Sequence, residues 1–171
     1  MAEKDPKIGG AEQIAMVDNT KDNPGVIAPP PLIFLSGILI GGWIAFLYPS
    51  RFLPDLVGYV LGGVLSAAGL GIIFIARSKM SKAKTNIEPW KPTTAILSDG
   101  IYGMSRNPVY VAMIVIYFGL AALFNSLWIL LPLVFVVLAI HYGVVLREEK
   151  YLERKFGEEY LKYKRRVRRW V

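Results

Sequence analysis

Four long apolar runs separated by polar segments leave this chain few folds to choose from. Leu32 to Tyr48, Leu56 to Ala76, Val109 to Phe124 and Leu127 to Leu146 are each near the roughly 20 residues that cross a bilayer as a helix. Backbone inside hydrocarbon has to satisfy its own hydrogen bonds, so helices are expected rather than sheets or irregular coil. The first run follows Pro29, Pro30 and Pro31 and stops at Pro49; the second lies between Pro54 and Arg77. The last two are separated only by Asn125-Ser126, so they form a tight helical hairpin. The expected fold class is all-α integral membrane: four transmembrane helices ending in that hairpin, followed by a cytoplasmic amphipathic tail helix. A composition that is 54% hydrophobic and 19% charged agrees with that class.

Within the first two runs, Gly37 and Gly41, then Gly58 and Gly62, show the small-xxx-small spacing that lets helix backbones approach. A phosphate-binding glycine loop would need a strand before it, which an apolar span does not provide.

Orientation follows from the positive charge. Residues 77–108 carry six basic residues (Arg77, Lys79, Lys82, Lys84, Lys91, Arg106) against two acidic ones, and residues 147–171 carry ten against five. The Pro49 to Asp55 loop has only Arg51, and the Asn125-Ser126 turn has no basic residue. The basic side, with both termini, is therefore expected to be cytoplasmic. The formal charge of +7 does not point to nucleic acid, because the basic residues flank apolar spans, where anionic lipid headgroups are the partner. No Cys is present, which excludes thiolate chemistry, and a single His excludes a His-rich metal site. Residues 1–28 are polar and slightly acidic and read as a mobile tail without a signal peptide, ahead of a single domain over 29–171.

The polar stretch Ser98 to Tyr110 (SDGIYGMSRNPVY) is pinned between apolar runs. Asp99-Gly100 signals a turn, and Asn107-Pro108 sets a helix start at Val109. Free N-H groups at that start, beside Arg106 and Asn107, suit a carboxylate or phosphate; a capped helix at a membrane interface, with Arg106 on lipid phosphate, is the simpler alternative.

Past the fourth run, Leu152, Phe156, Tyr160, Tyr163 and Val167 mark one face of an amphipathic helix over 147–171, with a bend near Gly157. Lys162, Lys164, Arg165, Arg166, Arg168 and Arg169 suit an anionic surface, with Trp170 as an interfacial anchor. Glu148 and Glu149 stand side by side where the span ends, so at least one is expected to face the bundle. It would need a cation there: Arg106, Arg147 or a positively charged ligand. His141 lies two helical turns before Glu148 and serves either as a hydrogen-bond donor to backbone or, with Arg147 as a further substrate-pocket candidate, as a wall of the ligand pocket or a proton acceptor.

These residues, taken in order, carry a resemblance. Thr85-Asn86-Ile87 with Pro89, Leu97 to Tyr102, Ser105 to Tyr110, the hairpin, Arg147-Glu148-Glu149, and Phe156 to Tyr160 with Tyr163 resemble the isoprenylcysteine carboxyl methyltransferase and phospholipid methyltransferase superfamily. Members are integral membrane enzymes that use S-adenosylmethionine, and the similarity covers about residues 85–169. The resemblance implies that Thr94, Ala95, Ile96, Leu97, Gly100, Tyr102, Arg106, Asn107, Pro108, Val109, Tyr110 and Glu148 surround the cofactor, within a segment spanning 77–108. Asn107 stands where the carboxyl methyltransferases usually have histidine; it donates and accepts hydrogen bonds but is no base at neutral pH. The family's substrate-side arginine falls near Val144.

The chemistry of the residues suits such a ligand. A cofactor bearing a carboxylate, an ammonium and a sulfonium calls for a cation, a carboxylate and an aromatic wall. Arg106 with the Pro108 helix start, Glu148, and Tyr102 with Tyr110 are the matching groups. The expected activity is methyl transfer to a lipid-soluble or amphiphilic acceptor, a phospholipid amine or an isoprenylcysteine-like carboxylate, with Glu148, Arg106 and Glu149 as the catalytic candidates and no metal. A nicotinamide-dependent membrane reductase of the sterol-reductase type and a non-enzymatic membrane adaptor are the competing classes.

Overall fold

The computed structural model describes residues 22–171 except 87 and 89, and contains no strand among them. Helix α1 is Pro30–Leu47, where Pro30 and Pro31 occupy first-turn positions whose missing N-H costs nothing. Helix α2 is Asp55–Lys82, a short α3 is Ile101–Met104, and α4 is Pro108–Leu123. The last apolar run is one continuous helical rod from Leu127 to Phe156. It opens as a 3-10 turn at Leu127–Ile129, becomes α5 at Leu133–Ile140, loosens to a π turn at His141–Val145, and continues as α6 at Leu146–Phe156. Helix α7, Glu158–Arg166, follows at an angle set by Gly157, whose φ of 51° L side chains adopt rarely.

Three of these helices are long and apolar enough to cross a membrane: Pro30–Leu47, Asp55–Lys82 and Leu127–Phe156. The expected third span is the shorter apolar helix α4, whose 16 residues rise about 24 Å, against a hydrocarbon core of about 30 Å. Helix α2 runs past its expected end at Ala76 to Lys82, which carries Arg77 and Lys79 beyond the apolar stretch.

Backbone contact explains the glycines. At Gly62 an added Cβ would sit 2.6 Å from the Gly119 carbonyl oxygen of α4, and at Gly58 2.8 Å from that of Ala122. Helices α2 and α4 therefore touch backbone to backbone along a row of small residues. Gly41 performs the same service for α1 against Ile129 and Trp128, while Gly63 and Gly42 face open space. Between the helices lies a core of Phe34, Tyr117, Ile129, Val136, Ile140 and Val144, while Phe46, Phe74 and Phe135 face outward, as lipid-facing side chains do. At the far end, Asn125, itself at a φ of 50°, accepts the Phe52 and Leu53 N-H groups at 3.1 and 2.9 Å and donates to the Leu53 carbonyl at 2.7 Å. The two connecting loops are thereby joined, leaving residues 77–108 and 147–171 together at the opposite end.

One expectation is corrected. The tail is not one helix over 147–171: the last span's helix continues to Phe156, and after α7 the chain is extended from Val167. Its apolar face turns inward as well, since Tyr160, Tyr163 and Val167 are buried against Ile96, Leu152 and Phe156, and Trp170 packs on the main core beside His141. Of the expected mobile tail the structure describes Asp22 to Ala28, where the Ile27 N-H donates to the Gly143 carbonyl at 3.2 Å. Residues 1–21 lie outside the described residues.

Candidate functional site

The segment between α2 and α3 holds its shape through side-chain hydrogen bonds, having no helix or strand over residues 85–98 in the described part. Lys84 turns the chain with a φ of 52°. Buried Thr85 then accepts the Thr94 N-H at 3.1 Å, Thr94 donates its hydroxyl to the Lys84 carbonyl at 2.9 Å, and Asn86 donates to the Pro92 carbonyl at 2.8 Å. The Thr93 N-H donates to the Tyr151 hydroxyl at 3.2 Å, tying the segment to α6. The next turn is clamped by an ion pair between Lys79 and Asp99, and the Lys79 hydrogen bond holds the Asp99 carboxyl below the usual range. Gly100, at a φ of 56°, passes so close to the Lys79 side chain that a Cβ would meet it at 2.7 Å.

The extended tail completes this wall. The Arg106 N-H donates to the Arg168 carbonyl at 2.9 Å, and the Asn107 amide donates to the Arg169 carbonyl at 2.8 Å. Asn107 thus spends its side chain on the C-terminal residues and makes no side-chain cap at the α4 start. Tyr163 donates to the Tyr102 carbonyl at 2.8 Å, and burial pushes its own hydroxyl up to about 12. Burial raises the Tyr102 hydroxyl as well, so both stay protonated donors.

Glu148 and Glu149 sit about 100° apart around α6 and have opposite surroundings. Glu149 is the hub of an ion-pair network: Arg169 grips both oxygens at 2.8 and 2.9 Å, the Arg106 Nη2 lies at 3.3 Å, and the Lys164 Nζ lies at 3.8 Å. Glu148 accepts the Tyr110 hydroxyl at 2.7 Å and has no cation within ion-pair distance among the described residues. Arg106 is the mirror case: its side chain is 8% exposed, and its Nε and Nη1 have no hydrogen-bond partner among the described residues, nor has the Tyr102 hydroxyl. Leaving buried donors unmet is costly, about 1 to 3 kcal/mol each.

Several of these groups, Tyr102, Arg106 and Glu148 among them, line two cavities that meet. The first, of about 120 Å³, is lined by Thr85, Asn86, Thr93, Glu149, Tyr160 and Tyr163 among others. The second, of about 270 Å³, runs between the starts of α1 and α4 and the end of α2, past Pro30, Ile73, Arg77, Trp90, Tyr110 and Met113. Met80, Glu88, Tyr102, Arg106, Asn107 and Glu148 line both. Together the cavities reach the lower end of the range for small-molecule sites, about 300 to 1,000 Å³.

Of the expected site residues, Ala95, Ile96, Leu97, Tyr102, Arg106, Asn107, Glu148 and Glu149 border the first cavity, and Pro108, Val109 and Tyr110 border the second. Thr94 and Gly100 shape the wall without lining either. His141 packs against Tyr142 and Trp170, and Arg147 donates to the Gly25 carbonyl at 2.8 Å; neither lines the two cavities. Ile87 and Pro89 lie outside the described residues. Thr85, Thr93, Tyr151, Tyr160 and Tyr163 were not expected at the site; the stripe of Tyr160 and Tyr163 was visible, but what covers it was not. Among the described residues no cluster of His, Asp and Glu could hold a metal ion.

A sequence model of one family, described as phospholipid methyltransferase, matches residues 57–159, more than half of the chain and most of both cavities. An uncharacterized protein of Haemophilus influenzae is 50% identical over 48 residues, which are 28% of this chain and 73% of that protein. No solved structure matches.

Proposed function

The chain belongs to the phospholipid methyltransferase family, and from that premise we propose that it moves a methyl group from S-adenosylmethionine to a lipid-soluble or amphiphilic acceptor at the cytoplasmic face of a membrane. One observation carries the reading: two cavities meet at Tyr102, Arg106, Asn107 and Glu148, where, among the described residues, buried Tyr102 and Arg106 donors have no hydrogen-bond partner and the Glu148 carboxylate has no cation.

The residues present fit the cofactor. Arg106 holds the amino-acid carboxylate through its free Nε and Nη1, the Tyr102 hydroxyl donates beside it, and Glu148 takes the ammonium. Ala95 to Leu97 and the Tyr160 and Tyr163 rings provide the wall for the nucleoside. When bound, the cofactor supplies an electrophilic methyl on a sulfonium, which needs neither metal nor covalent enzyme intermediate. Tyr110, by donating to Glu148, fixes the carboxylate where the two cavities join. A phospholipid amine or an isoprenylcysteine-like carboxylate enters through the second cavity, with its chain along Ile73, Val109 and Met113 and its head near Arg77 and Trp90. The cofactor would supply its methyl to an acceptor held at the junction beside Tyr102, Arg106 and Glu148, and an amine acceptor would give up one proton to water. Alignment across the junction supplies most of the rate, up to about 7 to 11 kcal/mol.

In this reading α4 is the fourth span, both termini are cytoplasmic, and exposed Lys162, Arg165, Arg166 and Arg168 rest on anionic lipid. The test is a calorimetric titration of purified protein with S-adenosylmethionine. One saturable site per chain, competed by S-adenosylhomocysteine, is expected; no binding by a folded, monodisperse preparation would overturn the reading.

A further inference from the structure

One element at the first cavity has no part in methyl transfer. Pro24 lines that cavity, and the chain on both sides of it is fastened to the Leu127–Phe156 rod. The Asp22 carboxylate accepts the Tyr151 hydroxyl at 2.8 Å and the Lys155 ammonium at 2.7 and 2.8 Å. Arg147 donates to the Gly25 carbonyl at 2.8 Å, and the Ile27 N-H donates to Gly143 at 3.2 Å. The Ile27 side chain fills the notch over Gly143, where a Cβ would lie 2.2 Å from its Cδ1.

Two of these fastenings are exposed to water. The Asp22 and Lys155 side chains are 57% and 28% exposed, and solvent-exposed ion pairs contribute little. Ile27 is half exposed, and Gly25 sits at a φ of 62° with nothing among the described residues within 4 Å of an added Cβ, a backbone position with freedom to turn. The latch is also wired to the cavity wall: the Tyr151 hydroxyl that donates to Asp22 accepts the Thr93 N-H of the segment between α2 and α3.

We propose that Asp22 to Ile27 is a strap over the cofactor cavity, and that cofactor and its demethylated product exchange only when the strap lifts, while the acceptor uses the second cavity. This rests on S-adenosylmethionine being the ligand of the first cavity. A gate of this kind changes how fast a ligand enters and leaves far more than how tightly it is held.

The chain contains no Cys, so the strap can be tied cleanly. In an Asp22→Cys/Lys155→Cys variant, a flexible thiol cross-linker with a reducible centre bridges strap and rod. Association and dissociation rates of labelled S-adenosylmethionine are then measured before cross-linking, after it, and after reduction. Tying is expected to slow both rates at least tenfold with the dissociation constant changed less than threefold, and reduction should restore them. The untied variant and Ile27→Ser, with weakened latches, should exchange faster than wild type. Exchange that is indifferent to the tie overturns the strap, as does a change in affinity with an unaltered association rate. Wild type that binds while the tie has no effect overturns the strap alone; wild type that does not bind overturns the cofactor reading and the strap with it.

Discussion

Replacing Glu149 with Ala is expected to lower the unfolding free energy by about 3 to 5 kcal/mol, because it strips a buried cation of its counter-charge. Glu149 and Arg106 have side chains 7% and 8% exposed, whereas Arg169 and Lys164 are about one-third exposed and can turn to water. Arg106 cannot. At roughly 2 to 4 °C per kcal/mol for a chain of this size, the detergent-solubilised variant should melt about 6 to 20 °C below wild type. A Glu149→Leu/Arg106→Met double variant removes both charges and should recover most of that loss, though not ligand binding. A single variant as stable as wild type would show that the network around Glu149 is solvated and that Arg106 is not held for a ligand.

The neighbouring carboxylate should behave in the opposite way. Glu148→Gln keeps the shape and a hydrogen bond with Tyr110 but removes a charge that has no cation partner among the described residues. Stability is expected to stay within about 1 kcal/mol of wild type or to rise, since a charge away from water is no longer sustained. Binding should suffer: a hydrogen bond to a charged group is worth about 1.5 to 3 kcal/mol, so the dissociation constant for S-adenosylmethionine should rise about 10- to 150-fold. An unchanged constant in the titration would remove Glu148 from the cofactor site. Two adjacent glutamates of one helix would thus divide the work, one for the fold and one for the ligand.

Much of this division is invisible in the sequence. The apolar runs, the hairpin turn and the close-packing glycines follow from composition and spacing, and Gly41, Gly58 and Gly62 do meet backbone as their pattern implies. The pairing of Glu148 and Glu149 was expected to involve Arg106 or Arg147, yet nothing in the order REE says which carboxylate turns inward to which cation. That depends on where the extended tail returns, and Arg169 reaches Glu149 only because Asn107 and Arg106 bind the backbone beside it. The stripe of Tyr160 and Tyr163 failed as a guide for a related reason. Periodicity identifies an apolar face, but a lipid surface and the wall of a cavity ask for the same residues, and here Gly157 redirects α7 onto Ile96 and Leu152. The docking of Asp22 to Ile27 rests on backbone carbonyls, an ion pair, the Tyr151 hydroxyl and the Ile27 side chain over Gly143, and such contacts leave no periodic trace.

The account stands or falls on transfer itself. Protein reconstituted into lipid nanodiscs, incubated with methyl-labelled S-adenosylmethionine and vesicles of a total membrane lipid extract, should place label in the organic phase in proportion to time and enzyme, with Glu148→Gln far slower at limiting cofactor. Organic-phase label no higher than in a protein-free control, from wild type that binds the cofactor, would contradict the methyl-transfer claim.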